Sequence, residues 1–491
     1  MKIQQRQNET SDKPRKQAQM ALDLVEPGND DENSHGKKER VTRHLPPGIN
    51  SRMLYKDIVY IAWPSLIELT LTQLASMVDM MMVGKLGPWA ISAIGLTTQP
   101  KFLMMATFLA MNVGATALVA RYKGSEEPKK SNLVFRQALL LTLVSSIIAS
   151  IVGYIFSEPL IRFMGAADAQ TLRGGTVYLE IQMIGFVFMA LTATVTAAFR
   201  GIGNSRIALI YNMTANIVNV IFNYLLIEGH FGFPRMELAG ASLATIIGQF
   251  VAFILAMIAA LRGDEYVHLR FKDGFKPHKK CLADIFKIGF PAMGEQLILR
   301  AGIIIYSITV ASLGTVAFAV HQIAMNIQAM SFMSGQAFAV SATALVGQSL
   351  GKKRPDMAQA YSSNTSRVGM AISILLGIIF FFFGEPIVAL YNSEPDIVRQ
   401  GGEILMLIAL IQPFQTSQFI LAGALRGAGD TRSVAIITFI TVLLLRPGLA
   451  LITVKALGWG LKGAWYALVA DQLLRSLLVK LRYHSGVWKR A

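Results

Sequence analysis

Two carboxylates, Glu68 and Asp79, stand 11 residues apart in an otherwise apolar stretch, 57–82. At about 100° per residue they fall on nearly the same face of a helix, roughly 16 Å apart along its axis. An ionisable group inside a membrane span costs at least ~2.5 kcal/mol on insertion scales, so each marks a place that holds a proton, a cation or a partner side chain. Further on, Asn212, Asn216, Asn219 and Asn223 are spaced by four, three and four residues. That spacing draws one polar stripe down a single helix face. Asparagine amides glue helices together. They are also neutral oxygen donors, suited to a protonated carboxyl or a weakly held cation, and Thr245 adds a hydroxyl. The chemistry this permits is reversible ion binding rather than bond breaking. There is no H-E-x-x-H, no G-x-S-x-G and no pair of in-span histidines, so the chain is not read as an enzyme. The single cysteine, Cys281, lies in a basic loop and excludes both an internal disulfide and a thiolate metal cluster. No cofactor is expected beyond the coupling ion.

The elements that must position these residues are membrane helices. Of 491 residues 53% are hydrophobic and 15% charged, against about 25% charged in a soluble domain. Apolar runs long enough to cross a bilayer are predicted at 57–82, 91–119, 133–156, 176–198, 207–228 and 238–261. Six more follow at 284–311, 316–346, 368–391, 403–424, 433–454 and 460–481. The fold class is therefore an all-α membrane protein of 12 spans. The net charge of +16 is not a nucleic-acid signature, because of where it sits. The N-terminal stretch, the loops after even-numbered spans and the C-terminus hold 35 Lys and Arg, against seven in the opposite loops. Over short loops this asymmetry places both termini in the cytoplasm. The domain reading is a disordered cytoplasmic tail at 1–54, an N-lobe at 55–262, a cytoplasmic inter-lobe loop at 263–283, a C-lobe at 284–482 and a C-terminal tail at 483–491.

The second half echoes the first at an offset of about 227 residues. Trp63-Pro64 with Glu68 recurs as Phe290-Pro291 with Glu295, Glu158-Pro159 as Glu385-Pro386, and Arg200-Gly201-Ile202-Gly203 as Arg426-Gly427-Ala428-Gly429. Six spans per half make the halves parallel repeats, and such symmetry points to a transporter whose bundles rock about a site between them. The repeat puts Glu295 opposite Glu68 but Tyr306 where the first half has Asp79, so the outer site is expected to be asymmetric. Each glutamate follows a proline by four residues, where it could instead hydrogen-bond around a kink. Arg300 and Arg446 are expected to neutralise Glu295, and Asp471 and Arg475 to form an ordinary i,i+4 pair. Lys101 is expected to snorkel and His321 to be a satisfied core histidine. The 23 methionines suit repacking around varied ligands.

The Pro-x-x-x-Glu first span ending Val78-Asp79-Met80-Met81-Met82-Val83-Gly84, the Leu118-Val119-Ala120-Arg121 exit and the Phe199-Arg200-Gly201-Ile202-Gly203 turn carry a resemblance. So do Ala342 through Gln348 and Ala424 through Asp430. Over residues 55–480 the chain resembles multidrug and toxic compound extrusion (MATE) transporters of the bacterial NorM/DinF type, within the MOP flippase superfamily. The resemblance implies two six-helix lobes facing each other in a V. It implies efflux of organic cations from the cell across the bacterial inner membrane, driven by H⁺ or Na⁺ entry, by a monomer among lipids and without nucleic acid. It places ion coupling at Asp79, Asn219, Asn223 and Thr245. Candidates for the substrate cavity are Glu68, Glu295, Arg300, Tyr306 and Gln415. Asn223 stands where some members carry an aspartate, which favours H⁺ over Na⁺. Protonation of Asp79 is expected to expel drug by competing for a shared negative charge. The rival reading within the superfamily is a flippase for lipid-linked oligosaccharides or lipids, supported by Arg300, Arg446 and Lys101. A receptor or channel needs less than a duplicated body of this size.

Overall fold

The computed structural model describes residues 50–490 except Ala167 and Ser393, so nearly all of the expected N-terminal tail lies outside the described residues. Among the described residues there are 12 long helices in two sets of six. The first set is α1 Ser51–Gly84, α2 Pro88–Gly124, α3 Pro128–Ile155, α4 Ala169–Gly201, α5 Ser205–Ile227 and α6 Glu237–Arg262. The second is α7 Lys279–Ala311, α8 Thr315–Gly351, α9 Pro355–Ala389, α10 Pro395–Gly427, α11 Thr431–Ala456 and α12 Gly460–His484. Every predicted span falls on one of them. The helices overrun the apolar runs, most of all at α9 and α10, because a helix continues past the lipid boundary on charged residues that hydropathy does not detect. Eleven of the helices are long and apolar enough to cross a membrane. The exception is α12, whose buried Asp471 and Arg475 lower its apolar character.

Local signals fix the ends. Asn50 caps α1 by accepting from the Arg52 N–H, and Asp168 caps α4 by accepting from the Thr171 N–H at 2.7 Å. Proline opens α2, α3, α9 and α10, where its missing N–H costs nothing. Gly87 and Gly314, at matching turns of the two halves, adopt φ of 113° and 102°, which residues with a side chain avoid. The C-terminal stretch is not a free tail. It turns into a short 3₁₀ helix, Val487–Arg490, and buries Trp488 by stacking it on Tyr483.

The first helix of each set crosses into the other lobe's core. Leu54, Ile58, Ile61 and Ala62 of α1 pack among buried residues of α8, α9 and α10, while Cys281 and Ile285 of α7 pack among α2 to α6. At this basic end the lobes meet backbone to backbone. A Cβ on Gly124 would lie 1.9 Å from the Gln348 carbonyl oxygen, and one on Gly351 would lie 2.0 Å from that of Arg121. Inter-lobe hydrogen bonds from Tyr361 to Asp57 (2.6 Å), Tyr55 to Asn364 (3.3 Å) and Gln348 to the Gly201 carbonyl (2.9 Å) lie at the same end.

This closed contact tolerates no side chain. Valine at Gly124 must push the two lobes apart there by about 2 Å to reach ordinary van der Waals separation. Distances between spin labels on α2 and α8 near the basic end are expected to shift to larger values in Gly124→Val. An unchanged distance distribution would show that this contact does not hold the basic end closed.

Candidate functional site

The asparagine stripe exists, and it faces α1. Helices α5 and α1 run parallel, so their polar residues meet in register. Asn212 donates to Glu68 at 2.6 Å, Asn216 to the Thr72 hydroxyl at 3.2 Å, and Asn223 to Asp79 at 2.6 Å. Asn219, with its NH₂ turned toward the carboxylate, donates to both Asp79 oxygens at 2.8 and 2.9 Å and accepts from the Thr245 backbone N–H at 3.2 Å. The four residues expected around the ion are thus gathered by α1, α5 and α6. The Thr245 hydroxyl donates to the Ala241 carbonyl, so Thr245 orients Asn219 rather than touching Asp79. Asn219 and Asn223 are buried. Among the described residues, the hydrogen-bond partners of Asp79 are neutral amides that donate protons and bring no positive charge.

The other deep carboxylates are compensated differently. Arg200 donates to both oxygens of Glu68 at 2.8 Å, and Arg426 pairs with Glu295. These arginines belong to the R-G-x-G turns that close α4 and α10, so the repeat joins Pro-x-x-x-Glu to R-G-x-G as one ion pair per lobe. The sequence reading missed both partners, although both motifs were in view, because spacing within a chain does not show which helices touch. The expectation that Arg300 and Arg446 neutralise Glu295 is corrected. Arg300 lies over the Phe102 ring, 3.4 Å from its centroid, and Arg446 pairs with Asp471. Lys101 does not snorkel; it donates inward to Gln182 at 2.7 Å. His321 is buried among Tyr306, Phe318 and Trp465, but its Nδ1 has no hydrogen-bond partner, so it is not a satisfied core histidine.

A cavity of about 620 Å³ opens between the two sets of helices. Its wall includes Glu68 and Thr72 of α1, Met105 and Asn112 of α2, Met189 and Arg200 of α4, Asn212 and Asn216 of α5, Gln336 of α8 and Arg426 of α10. Of the expected cavity residues, Glu68 is in this wall, whereas Glu295, Arg300, Tyr306 and Gln415 are not. Glu295 sits behind Arg426, Tyr306 and Gln415 are buried in the second set, and Arg300 is held on α2. Asp79 is not in the wall either; it lies three helical turns beyond Glu68 on the same helix. Asp79 and the cavity wall thus occupy separate places along α1.

Removing the acid from the Glu68–Arg200 pair strands a guanidinium that is only 21% exposed. Glu68→Gln is expected to destabilise the protein by about 3–5 kcal/mol. Glu68→Gln with Arg200→Gln should recover much of that loss. Denaturant unfolding in detergent measures both, and equal losses in the single and double variants would contradict the pairing.

The comparison with known proteins agrees with this geometry. The MatE family model matches residues 64–225 and again residues 291–452. A probable multidrug resistance protein NorM from Thermotoga maritima is 28% identical over 436 residues, spanning 89% of this chain and 93% of that protein. The multidrug resistance protein PmpM of Pseudomonas aeruginosa is 26% identical over 451 residues, with 89% and 93% covered. Among solved structures, an outward-facing multidrug resistance MATE transporter of the MOP superfamily superposes with a TM-score of 0.81 at 21% identity, over 88% of this chain and 96% of that one. A MOP superfamily transporter from Pyrococcus furiosus, described by the reverse polarity of its binding pocket, also gives 0.81 at 21% identity, over 88% and 95%. At that identity the superpositions show the fold. Two family matches in register with the internal repeat, on a 12-helix membrane body with a cavity between its halves, lead to one conclusion: this chain is a multi-pass membrane transporter belonging to the MATE family of multidrug efflux proteins.

Proposed function

We propose that this protein exports organic cations in exchange for protons, with Asp79 as the coupling carboxylate and both termini in the cytoplasm of a bacterial cell. The observation that carries this reading is the set of partners around Asp79. Asn219 and Asn223 donate hydrogen bonds to it, and neither brings a positive charge. A carboxylate so placed carries a full negative charge when ionised and none when protonated, so its occupancy changes the electrostatics of the lobe. Asn223 supports H⁺ over Na⁺, since a second acid there would have completed a tighter cation site. In this reading the basic end lies inside and the closed contact between the lobes faces the cytoplasm.

Coupling then runs along α1, which touches both sites. A proton entering from outside neutralises Asp79 and loosens its grip on the α5 amides. The basic half of α1, packed into the opposite lobe, transmits that change to the contact between lobes. A membrane potential adds about 2.3 kcal/mol per charge per 100 mV to the inward movement of the proton. Drug occupies the cavity beside Glu68, among amides and methionines that accommodate varied aromatic cations.

One observation favours a second reading. Arg200 and Arg426 both line the cavity, and a phosphate-bearing lipid would use them. Both are already paired with carboxylates, which weakens an anion site. Inhibition of dye efflux by a lipid diphosphate, with none by organic cations, would select the flippase.

Asp79→Asn is expected to abolish dye efflux from cells, at least tenfold below wild type, while the protein still reaches the membrane. In proteoliposomes a proton gradient alone should drive transport. Wild-type pumping by Asp79→Asn would remove Asp79 from the coupling role. Transport that follows only a sodium gradient would overturn the choice of ion.

A further inference from the structure

The C-lobe contains a buried charged cluster that the transport scheme does not use. Arg446 of α11 donates through Nε (3.0 Å) and Nη2 to Oδ2 of Asp471 on α12, and Arg475 donates to the same oxygen at 3.0 Å. Asp471 is 0% exposed, and both arginines are about 5% exposed or less. Glu295 of α7 is the next carboxylate acting on Arg475, and its own partner is Arg426. The groups facing the cluster from the other helices are the Tyr306 ring of α7, 5.8 Å from the Arg446 guanidinium, and His321 of α8 packed on Tyr306.

The 227-residue offset shows what this cluster is. Asn219, which holds Asp79, maps to Arg446 and Asp79 maps to Tyr306; α6 and α12 align at an offset of 223, where Leu238-Ala239-Gly240-Ala241 meets Leu461-Lys462-Gly463-Ala464, so Gly248 maps to Asp471. In the N-lobe Gly248 lets α6 lie directly on α5, with its Cβ position 2.7 Å from the Ala215 carbonyl oxygen. In the C-lobe the same place carries the Asp471 carboxylate, which the two guanidiniums meet. Helix α11 adapts by opening into π turns at Phe439–Leu445 and Ile452–Ala456 around Arg446. Pro447 explains the first of these, since it offers no N–H to the preceding turn. The C-lobe thus repeats the N-lobe ion site with its polarity reversed. The N-lobe has one carboxylate among neutral amides, whereas the C-lobe has one carboxylate between two guanidiniums.

We infer that Arg446 is a tethered cation that permanently fills the C-lobe image of the Asp79 site, assisted by Arg475, so that Asp471 stays ionised and only the N-lobe exchanges an ion. Two guanidiniums exceed the charge of Asp471, so an exchangeable proton or metal cation is repelled there. The chain + − + − + from Arg446 through Asp471, Arg475 and Glu295 ends at Arg426 in the cavity wall, where water can solvate the residual charge. Counting one ion site per molecule rests on the proposed role of Asp79, but the state of Asp471 does not.

The test is pH-difference infrared spectroscopy of the full-length protein in lipid, between about pH 5 and about pH 8. The reading is the band of protonated carboxyl groups. Wild type and the charge-free variant Arg446→Gln/Asp471→Asn/Arg475→Gln are expected to give the same band. Arg446→Gln/Arg475→Gln, which leaves Asp471 uncovered, is expected to gain a further band that the triple variant lacks. A wild-type band that vanishes in the triple variant would overturn the inference, and so would a double variant with no added band. Asp79→Asn, recorded in parallel, reports on the N-lobe alone. Loss of the Asp79 assignment would therefore not be mistaken for failure of this one.

Discussion

Hydrocarbon does not solvate charge, and this protein is organised around how each deep carboxylate meets that constraint. Glu68, Glu295 and Asp471 are each met by arginine. Asp79 is met by asparagine amides from α5. A guanidinium compensates the charge of the carboxylate it meets, whereas a neutral amide donates a hydrogen bond and brings no charge. In the proposed function it is Asp79 that exchanges the proton.

The rest of the architecture gives that switch a lever. Helix α1 carries Asp79 toward one end, Glu68 at the cavity wall, and Ile58 and Ile61 in the core of the other lobe. The asparagine stripe zips this helix to α5 over about three turns. Helix α7 repeats the crossing in the opposite sense through Ile285, but the place of its acid is taken by Tyr306. The two halves thus share one frame and differ at this place, Asp79 in the first and Tyr306 in the second.

Much of this was legible in the sequence for physical reasons. Span positions followed from apolar length, the two-lobe division from the 227-residue echo, and the asparagine stripe from a spacing that admits one helix face, while its grouping with Asp79 came from the family resemblance. What could not be read was partnership across space. Arg200 and Arg426 were visible as turn residues, yet nothing in the chain says that the end of α4 lies against the middle of α1. Arg446 was assigned to the wrong acid for the same reason, since Glu295 and Asp471 were equally plausible until α11 was seen beside α12. Helix ends were underestimated wherever a helix continued on polar residues, as at Pro355 and Pro395.

The account turns on Asp79 releasing a proton when drug binds, and the pH dependence of binding measures this most directly. Tetraphenylphosphonium affinity of the purified full-length protein should weaken as pH falls, by up to about tenfold per pH unit once the carboxyl is mostly protonated. In Asp79→Asn the affinity should be flat over the same range. An identical pH slope in wild type and variant would contradict the account, because the proton linked to drug binding would then belong to another group.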